Sequence, residues 1–207
     1  MQPFTRVSGI AAPLDRPNVD TDQIIPKQFL KRIERSGYGP FLFYDWRYRG
    51  DGVTENPDFE LNREPWRGAP VLLAQRNFGS GSSREHAVWA LMDHGIRAVI
   101  APSFSDIFYS NSLKGGLLPI SLPEQIVERW LDAAQEEPGL RATVDLEACT
   151  VTFNGETQPF EIDPESRHRL LDGLDDISLT LQHAADIAAF EQHRPAHLPV
   201  TTGLSAV

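Results

Sequence analysis

The 207-residue sequence contains a single cysteine, Cys149, which limits the covalent and metal chemistry of the chain. One cysteine can form neither an internal disulfide bond nor a cage of thiolate ligands. The six histidines do not compensate for this. His193 and His197 have helical spacing, but Pro195 lies between them and prevents a regular helical pair. We therefore expect no metal site in this chain, and a required metal must come from a partner.

The sequence also lacks a long apolar run, a secretory leader and a basic cluster. No run approaches the roughly 20 apolar residues of a membrane span, and the first residues contain no apolar core of a signal peptide. The chain has 29 acidic and 19 basic residues, a net charge of −10, which argues against nucleic-acid binding. We expect a cytoplasmic protein that binds neither membranes nor nucleic acid and holds any anionic ligand through local groups.

Short apolar segments alternate with helix-forming segments in the middle of the chain. Strands are predicted over 71–74, 96–101 and 117–121, and helices over 83–94 and 123–136. Such alternation is typical of parallel strands joined by helices. A later β-rich stretch contains Asn-Gly, a strong hairpin signal. The sequence therefore predicts an α/β fold with a mixed, partly parallel sheet and flanking helices.

The flanking segments complete this prediction. The remaining predicted strands are 7–12, 140–146, 150–153 and 159–162, and the remaining predicted helices are 27–34, 164–172 and 182–193. Residues 49–68 are polar, which predicts an excursion of the chain over the surface. We expect residues 1–195 to form one domain and residues 196–207 to form a flexible tail.

The most informative stretch is 77–90, where two glycines precede Ser82, Ser83 and Arg84. This stretch follows a predicted strand and opens a predicted helix, where backbone N–H groups and the helix dipole attract a carboxylate or phosphate. Arg84 can bind a carboxylate through two parallel hydrogen bonds, which lysine cannot copy. Ser82 can stabilise an oxyanion or lose its own proton. The stretch is therefore predicted to be an anion site.

Simpler interpretations of this stretch explain less of it. Ser82 and Glu85 have capping-box spacing, which predicts Ser82 as the N-cap, but capping does not account for the glycines, the second serine and the arginine together. Gly79 and Gly81 begin like a dinucleotide fingerprint, yet Arg84 stands where the third glycine belongs. A nucleophile elbow is absent, because the pattern Gly-x-Ser-x-Gly is not present.

A second polar group precedes the predicted helix 27–34. Asn18, Asp20, Thr21 and Asp22 are residue types that fix a loop by bonding its own backbone. The two acidic residues have two alternative roles, contact with a partner protein or orientation of an arginine in the anion site. The structural interpretation is the commoner one, and it is favoured here.

Five segments together carry a family resemblance. They are 13–30 with Asn-Val-Asp-Thr-Asp-Gln-Ile-Ile-Pro, 45–47 with Asp-Trp-Arg, 79–87 with Gly-Ser-Gly-Ser-Ser-Arg-Glu-His-Ala, 101–108 with Ala-Pro-Ser-Phe-Ser-Asp-Ile-Phe, and 173–183 with Gly-Leu-Asp-Asp-Ile. In this combination the sequence resembles the bacterial small subunits of 3-isopropylmalate dehydratase, in the aconitase superfamily. The Ser-Ser-Arg-Glu-His core alone indicates only the superfamily.

The resemblance implies a swivelling β/β/α domain that docks on a separate large subunit as a heterodimer or a higher assembly. In such relatives a 4Fe–4S cluster is bound by three cysteines of the large subunit, in keeping with the single cysteine here. The implied reaction removes water from 2-isopropylmalate, a dicarboxylate, and adds it back to give 3-isopropylmalate in leucine biosynthesis. The cluster iron would act as a Lewis acid on the departing hydroxyl.

The resemblance also assigns roles in the anion site. Ser82 corresponds to the alkoxide base that takes the carbon-bound proton, and Ser83 and Arg84 correspond to ligands of a substrate carboxylate. Holding Ser82 as an alkoxide is demanding, because each unit by which its pKa is lowered requires about 1.4 kcal/mol of preferential stabilisation.

A second set of roles falls on the segment after Pro26, which resembles the substrate-recognition loop of the family. Phe29 and Leu30 are expected to meet the isopropyl group, with Lys31 as a polar contact. Two other functions remain open. One is the small subunit of a citraconate or methylmalate hydro-lyase, and the other is a stand-alone anion- or nucleotide-binding module.

Overall fold

The computed structural model describes residues 1–32, 34, 36–195 and 197. Within these residues, seven strands form one sheet in the order β4-β3-β2-β1-β5-β6-β7. The strands are β1 (Arg6–Leu14), β2 (Val71–Ala74), β3 (Ala98–Ala101), β4 (Leu118–Ser121), β5 (Arg141–Asp145), β6 (Thr150–Phe153) and β7 (Glu156–Pro159). The predicted α/β fold with a mixed, partly parallel sheet is confirmed.

Helices flank this sheet on both sides. The α-helices of the described chain are α1 (Thr21–Ile24), α2 (Tyr44–Arg47), α3 (Glu85–His94), α4 (Asp106–Gly115), α5 (Glu124–Glu136), α6 (Pro164–Asp172), α7 (Asp176–Leu181) and α8 (Ala184–Gln192). Short 3₁₀ turns cover Lys27–Lys31, Gly39–Phe41 and Glu60–Asn62. Within the described ranges, none of these helices is long and apolar enough to cross a membrane.

Strand β1 joins a parallel half of the sheet to an antiparallel half. It pairs in parallel with β2, so that Leu14 lies opposite Ala74, and it pairs antiparallel with β5 on its other side. Strands β2, β3 and β4 continue the parallel half. Because parallel strands end at one edge of a sheet, the loops that follow β1, β2 and β3 emerge together there, as ligand-binding loops of α/β sheets commonly do.

The parallel half is buried on both faces. All four residues of β2 are buried, with Leu72 in the apolar layer beneath α3 and Leu73 in the layer beneath α5. This explains why its sequence is an uninterrupted apolar run. In the antiparallel half, Val151 and Phe153 are buried whereas Thr152 is exposed, the alternation of a strand with one solvated face.

The antiparallel half corrects one prediction. The strand predicted over 159–162 is wrong, because β7 occupies Glu156–Pro159. Asn154 and Gly155, both at positive φ, form the predicted two-residue turn and place Glu156 directly opposite Phe153. A turn this short leaves no residues between itself and the next strand.

The helix predicted over 27–34 is also corrected. The chain forms only the 3₁₀ turn Lys27–Lys31, with Arg32 extended at φ −73° and ψ 140°. Pro26 precedes the turn, and Gly37 follows it. Residues 33 and 35 lie outside the described residues.

The C-terminal helices depart further from the prediction. The helix predicted over 182–193 is α8, and α7 was not predicted at all. Asp175 caps α7 by accepting a 2.7 Å hydrogen bond from the Ser178 N–H. Neither helix has a buried residue, and Ile177, Leu181 and Phe190 are 71%, 63% and 64% exposed. Apart from residue 197, the tail predicted over 196–207 lies outside the described residues.

Candidate active site

The segment after β2 lies beside the segment after β1, and consecutive backbone hydrogen bonds join them. The N–H groups of Gly79 and Ser80 donate to the Val19 carbonyl at 2.8 and 3.2 Å, and the Thr21 N–H donates to the Ser80 carbonyl at 2.8 Å. Asp20 and Ser80 also pair as a parallel bridge. The parallel pairing of β1 with β2 therefore resumes beyond the strand ends and fixes one loop against the other.

The polar group at Asn18 to Asp22 includes a helix start that the sequence interpretation missed. The Asp20 side chain accepts from the Gln23 N–H at 2.8 Å, and the Gln23 side chain accepts from the Asp20 N–H at 2.9 Å. This reciprocal capping box begins α1. The spacing of Asp20 and Gln23 was the available signal. The favoured structural interpretation is correct for Asp20.

Arg84 and Asp22 form the strongest side-chain contact of the site. Arg84 donates from Nη1 to Asp22 Oδ1 at 2.6 Å and from Nη2 to Oδ2 at 3.0 Å. The Arg84 side chain is only 12% exposed, and its Nη1 also donates to the Ile25 carbonyl at 3.4 Å. Hydrogen bonds from Arg84 hold the pKa of Asp22 below its usual value. One of the two acidic residues thus orients the arginine, as one alternative interpretation predicted.

Ser82 and Ser83 are exposed and lie just before α3. The predicted capping role of Ser82 is wrong, because α3 begins at Glu85 and its N-cap is Arg84, with φ −141° and ψ 110°. In this extended conformation, the Arg84 side chain donates to Asp22 of α1. The Ser82 carbonyl instead accepts from Thr21 Oγ1 at 2.9 Å. Within the described part of the chain, no group hydrogen-bonds the Ser82 hydroxyl.

Gly79 allows α4 to approach the loop closely. Its φ is +75°, and a Cβ atom there would lie 2.2 Å from Cγ of Phe108. Ser105, the N-cap of α4, donates from its hydroxyl to the Gly79 carbonyl at 2.6 Å. The loop is therefore supported by the segment after β1 on one side and by α4 on the other.

Phe29, Leu30 and Lys31 lie on the 3₁₀ turn that follows α1. Phe29 stacks on Phe41 with ring centroids 4.2 Å apart and meets Tyr44 edge to face at 4.8 Å. Leu30 is half-buried and Lys31 is exposed. The structure brings Ser82, Ser83 and Arg84 together directly, whereas this turn is connected to them through α1.

The histidines of α3 do not join this group of side chains. His86 is half-buried with its ring 4.7 Å from the Trp89 ring, and burial lowers its pKa. His94, at the other end of the helix, is buried more deeply, which lowers its pKa to about 4. It is therefore neutral at pH 7.

Metal ligands are scarce in this chain. Across the described ranges, no group of three or more His, Cys, Asp or Glu side chains is placed to hold a metal ion. Cys149 is half-buried in the turn between β5 and β6, and its thiol contacts the Leu146 carbonyl at 3.4 Å. This donor set does not fit an iron–sulfur cluster, which needs several thiolates.

Matches to known proteins cover nearly the whole chain. Residues 1–125 match the family model of the aconitase C-terminal domain, residues 128–164 match LeuD_N, and residues 176–203 match the model of the C-terminal domain of the 3-isopropylmalate dehydratase small subunit. A 3-isopropylmalate dehydratase small subunit from Rhodopirellula baltica is 60% identical over 195 residues, covering 94% of this chain and 100% of that protein. The chain belongs to the 3-isopropylmalate dehydratase small-subunit family.

Other members of the 3-isopropylmalate dehydratase small-subunit family are nearly as similar. The proteins of that name from Brevibacillus brevis and Shewanella oneidensis are 55% and 52% identical, covering 94% and 95% of this chain and 100% and 98% of their own lengths. A crystal structure of 3-isopropylmalate dehydratase from Methanocaldococcus jannaschii has a TM-score of 0.64 at 26% identity and covers 89% of this chain and 98% of that one. The family resemblance drawn from the five motifs is confirmed.

Proposed function

We propose that this chain is the small subunit of a 3-isopropylmalate dehydratase and works only with a separate large subunit. The assembly would interconvert 2-isopropylmalate and 3-isopropylmalate by dehydration and rehydration in leucine biosynthesis. One observation carries the site assignment. Arg84 is held along one edge by Asp22 and stands beside two exposed serines that follow a tightly bonded loop.

We assign the carboxylate-binding role to the remaining edge of Arg84. Asp22 occupies the edge formed by Nη1 and Nη2. The edge formed by Nε and Nη2 has no acceptor on Nε within the described residues, and it has the geometry for a second bidentate contact. A substrate carboxylate can thus bind Arg84 without displacing Asp22, and the hydroxyl of Ser83 adds a further donor.

We assign the base role to Ser82. As an alkoxide it takes the proton from the carbon next to the hydroxyl-bearing carbon, the C–H electrons form the double bond, and hydroxide leaves. Rehydration reverses the placement, because Ser82 returns the proton to the carbon that lost its hydroxyl. The positive end of α3, whose first N–H groups lack intrahelical partners, and the nearby guanidinium favour the alkoxide.

The turn Lys27–Lys31 is proposed to read the substrate side chain. Phe29 is held rigidly by its aromatic neighbours, so with the half-buried Leu30 it offers a preformed apolar surface for an isopropyl group. Lys31 is exposed and free to reach a polar group of the substrate. Arg84 donates to the carbonyl of Ile25, which lies just before this turn, and this bond fixes the position of the turn relative to Arg84.

The remaining proposals concern the assembly. A 4Fe–4S cluster on the large subunit would act as a Lewis acid toward the leaving hydroxyl. We propose a cytoplasmic heterodimer or higher assembly, with no nucleic-acid or membrane partner, in which residues 1–195 form one swivel-like domain. The net charge of −10 supports the exclusion of nucleic acid.

Reconstitution tests this function. The chain is mixed with its large subunit, and the absorbance of the unsaturated intermediate is followed after isopropylmalate is added. We expect turnover only from the mixture, with a preference for isopropylmalate over methylmalate. We expect Ser82→Ala to lower turnover by about 10³-fold and Ser110→Ala, an exposed serine on α4, to leave it unchanged.

Several outcomes would count against the proposal. Full turnover from the large subunit alone would remove the need for this chain, and a preference for methylmalate would point to the related hydro-lyase. Near-normal turnover of Ser82→Ala would remove its base role. Tight nucleotide binding by the isolated chain, with no turnover from the mixture, would favour a stand-alone binding module.

A further inference from the structure

Thr21 is a buried polar residue directly beside the proposed base. It is only 2% exposed at the start of α1, although threonine is mostly exposed in folded proteins. Its hydroxyl donates to the Ser82 carbonyl at 2.9 Å, and its N–H donates to the Ser80 carbonyl at 2.8 Å. One residue therefore holds the backbone on both sides of Gly81.

The position of Gly81 makes these two contacts important. Its φ is +89°, and the place where a Cβ atom would lie is 3.6 Å from Thr21 Oγ1. Glycine gives the backbone freedom that other residues lack, so local preference alone does not fix the direction of the chain at Ser82. The hydrogen bonds from Thr21 supply that restriction.

We propose that Thr21 is a positioning residue for Ser82. Its hydroxyl fixes the Ser82 carbonyl and thereby the direction in which the Ser82 side chain leaves the backbone. This inference rests on the base role proposed for Ser82. Neighbouring residues have different tasks, because Asp20 caps α1 and Asp22 holds Arg84. Thr21 is the member of this group whose side chain bonds the serine itself.

The experiment uses the assembled two-subunit enzyme and compares Thr21→Val with Thr21→Ser. Valine keeps the shape but removes the hydroxyl, and serine keeps the hydroxyl. Since a misplacement of about 1 Å can cost about 100-fold in rate, we expect Thr21→Val to lower kcat by about 10- to 100-fold with KM nearly unchanged. We expect Thr21→Ser to restore kcat to within about threefold of wild type.

Thr180 provides a matched control. Its hydroxyl also donates to a backbone carbonyl, that of Asp176, at 2.9 Å, but it lies on α7. Thr180→Val should leave kcat and KM unchanged. Thermal unfolding of each variant reports whether the fold survives. If Thr21→Val does not fold, Thr21→Ala and Thr21→Ser are compared instead, because they also differ by one hydroxyl.

Different outcomes would overturn the positioning role of Thr21 and the base role of Ser82. Wild-type kcat in Thr21→Val, a loss confined to KM, or no rescue by Thr21→Ser would overturn the positioning role while Ser82→Ala remained inactive. An active Ser82→Ala enzyme would instead overturn the base role itself. A kcat loss rescued by Thr21→Ser, with Ser82→Ala inactive, supports both.

Discussion

Helix α3 and the pair α7–α8 are all surface helices with several apolar residues, yet the two regions use these residues differently. Helix α3 buries Ala87, Val88, Ala90 and Leu91 against the sheet. Helices α7 and α8 bury none, and Ile177, Leu181 and Phe190 are largely exposed. The apolar content of a helix therefore does not show whether it belongs to the core. The core-packed helix is the one that carries Arg84 and the two serines at its start.

The largest expected difference between the two regions concerns leucine. Leu91 of α3 is fully buried, whereas Leu181 of α7 is 63% exposed. Removing a buried leucine side chain costs transfer free energy and leaves a cavity. We expect Leu91→Ala to lower the free energy of unfolding by about 3 kcal/mol and Leu181→Ala to lower it by less than about 0.5 kcal/mol. Equal losses in urea denaturation would remove the distinction.

Two histidines, one at the end of α3 and one at the end of α8, extend the comparison to the pH dependence of stability. Burial lowers the pKa of His94, at the end of α3, to about 4, below the value near 6.5 of an unfolded chain. Between these values the unfolded state binds more protons, so the free energy of unfolding falls as the pH falls from 6.5 to 4. We expect His94→Gln to reduce this loss by about 2 kcal/mol.

His193, at the end of α8, is the matched control because it is exposed. His193→Gln should show the same pH dependence as the wild type. The measurement is urea unfolding at several pH values between 4.5 and 7. If the His94→Gln curve ran parallel to that of the wild type, burial of His94 would not contribute to acid sensitivity.

The smallest expected effect concerns arginine. Arg84 pairs with Asp22 at the start of α3, and Arg169 pairs with Asp176 at the start of α7. A lysine ammonium can satisfy one carboxylate, but it cannot offer a second planar fork. In the assembled enzyme we expect Arg84→Lys to raise KM about tenfold and Arg169→Lys to leave KM unchanged. An unchanged KM in Arg84→Lys would argue against carboxylate binding there.

Local sequence signals predicted the elements whose ends are set locally. Strands β2 and β6 and helix α6 match their predicted bounds. Helix α6 has a capping Asp163, Pro164 in the first turn and Gly173 beyond its end, so both ends were visible in the sequence. Helix α7 was missed because six residues with no buried face leave no periodic signal.

The details of the candidate site depended on contacts between distant segments. The spacing of Ser82 and Glu85 is the same whether Ser82 caps a helix or faces another segment. The spacing alone therefore predicts the commoner outcome, which is capping. The bonds from Thr21 to Ser82 and from Arg84 to Asp22 arise only after β1 and β2 pair in register. No sequence signal indicates that register. The sequence assigned Ser82 and Arg84 to an anion site, but for the group with Thr21 and Asp22 it favoured a structural role within their own loop.

The close approach at Gly79 has a consequence for how such a site can change. Because the Phe108 ring fills the volume that any side chain at residue 79 would need, the two positions cannot be varied independently. Enlarging one requires shrinking the other, and α4 would shift together with the loop that carries the serines. Lys31 carries no such constraint because it is exposed, so the proposed recognition turn can change there without moving α4 or the loop that carries the serines.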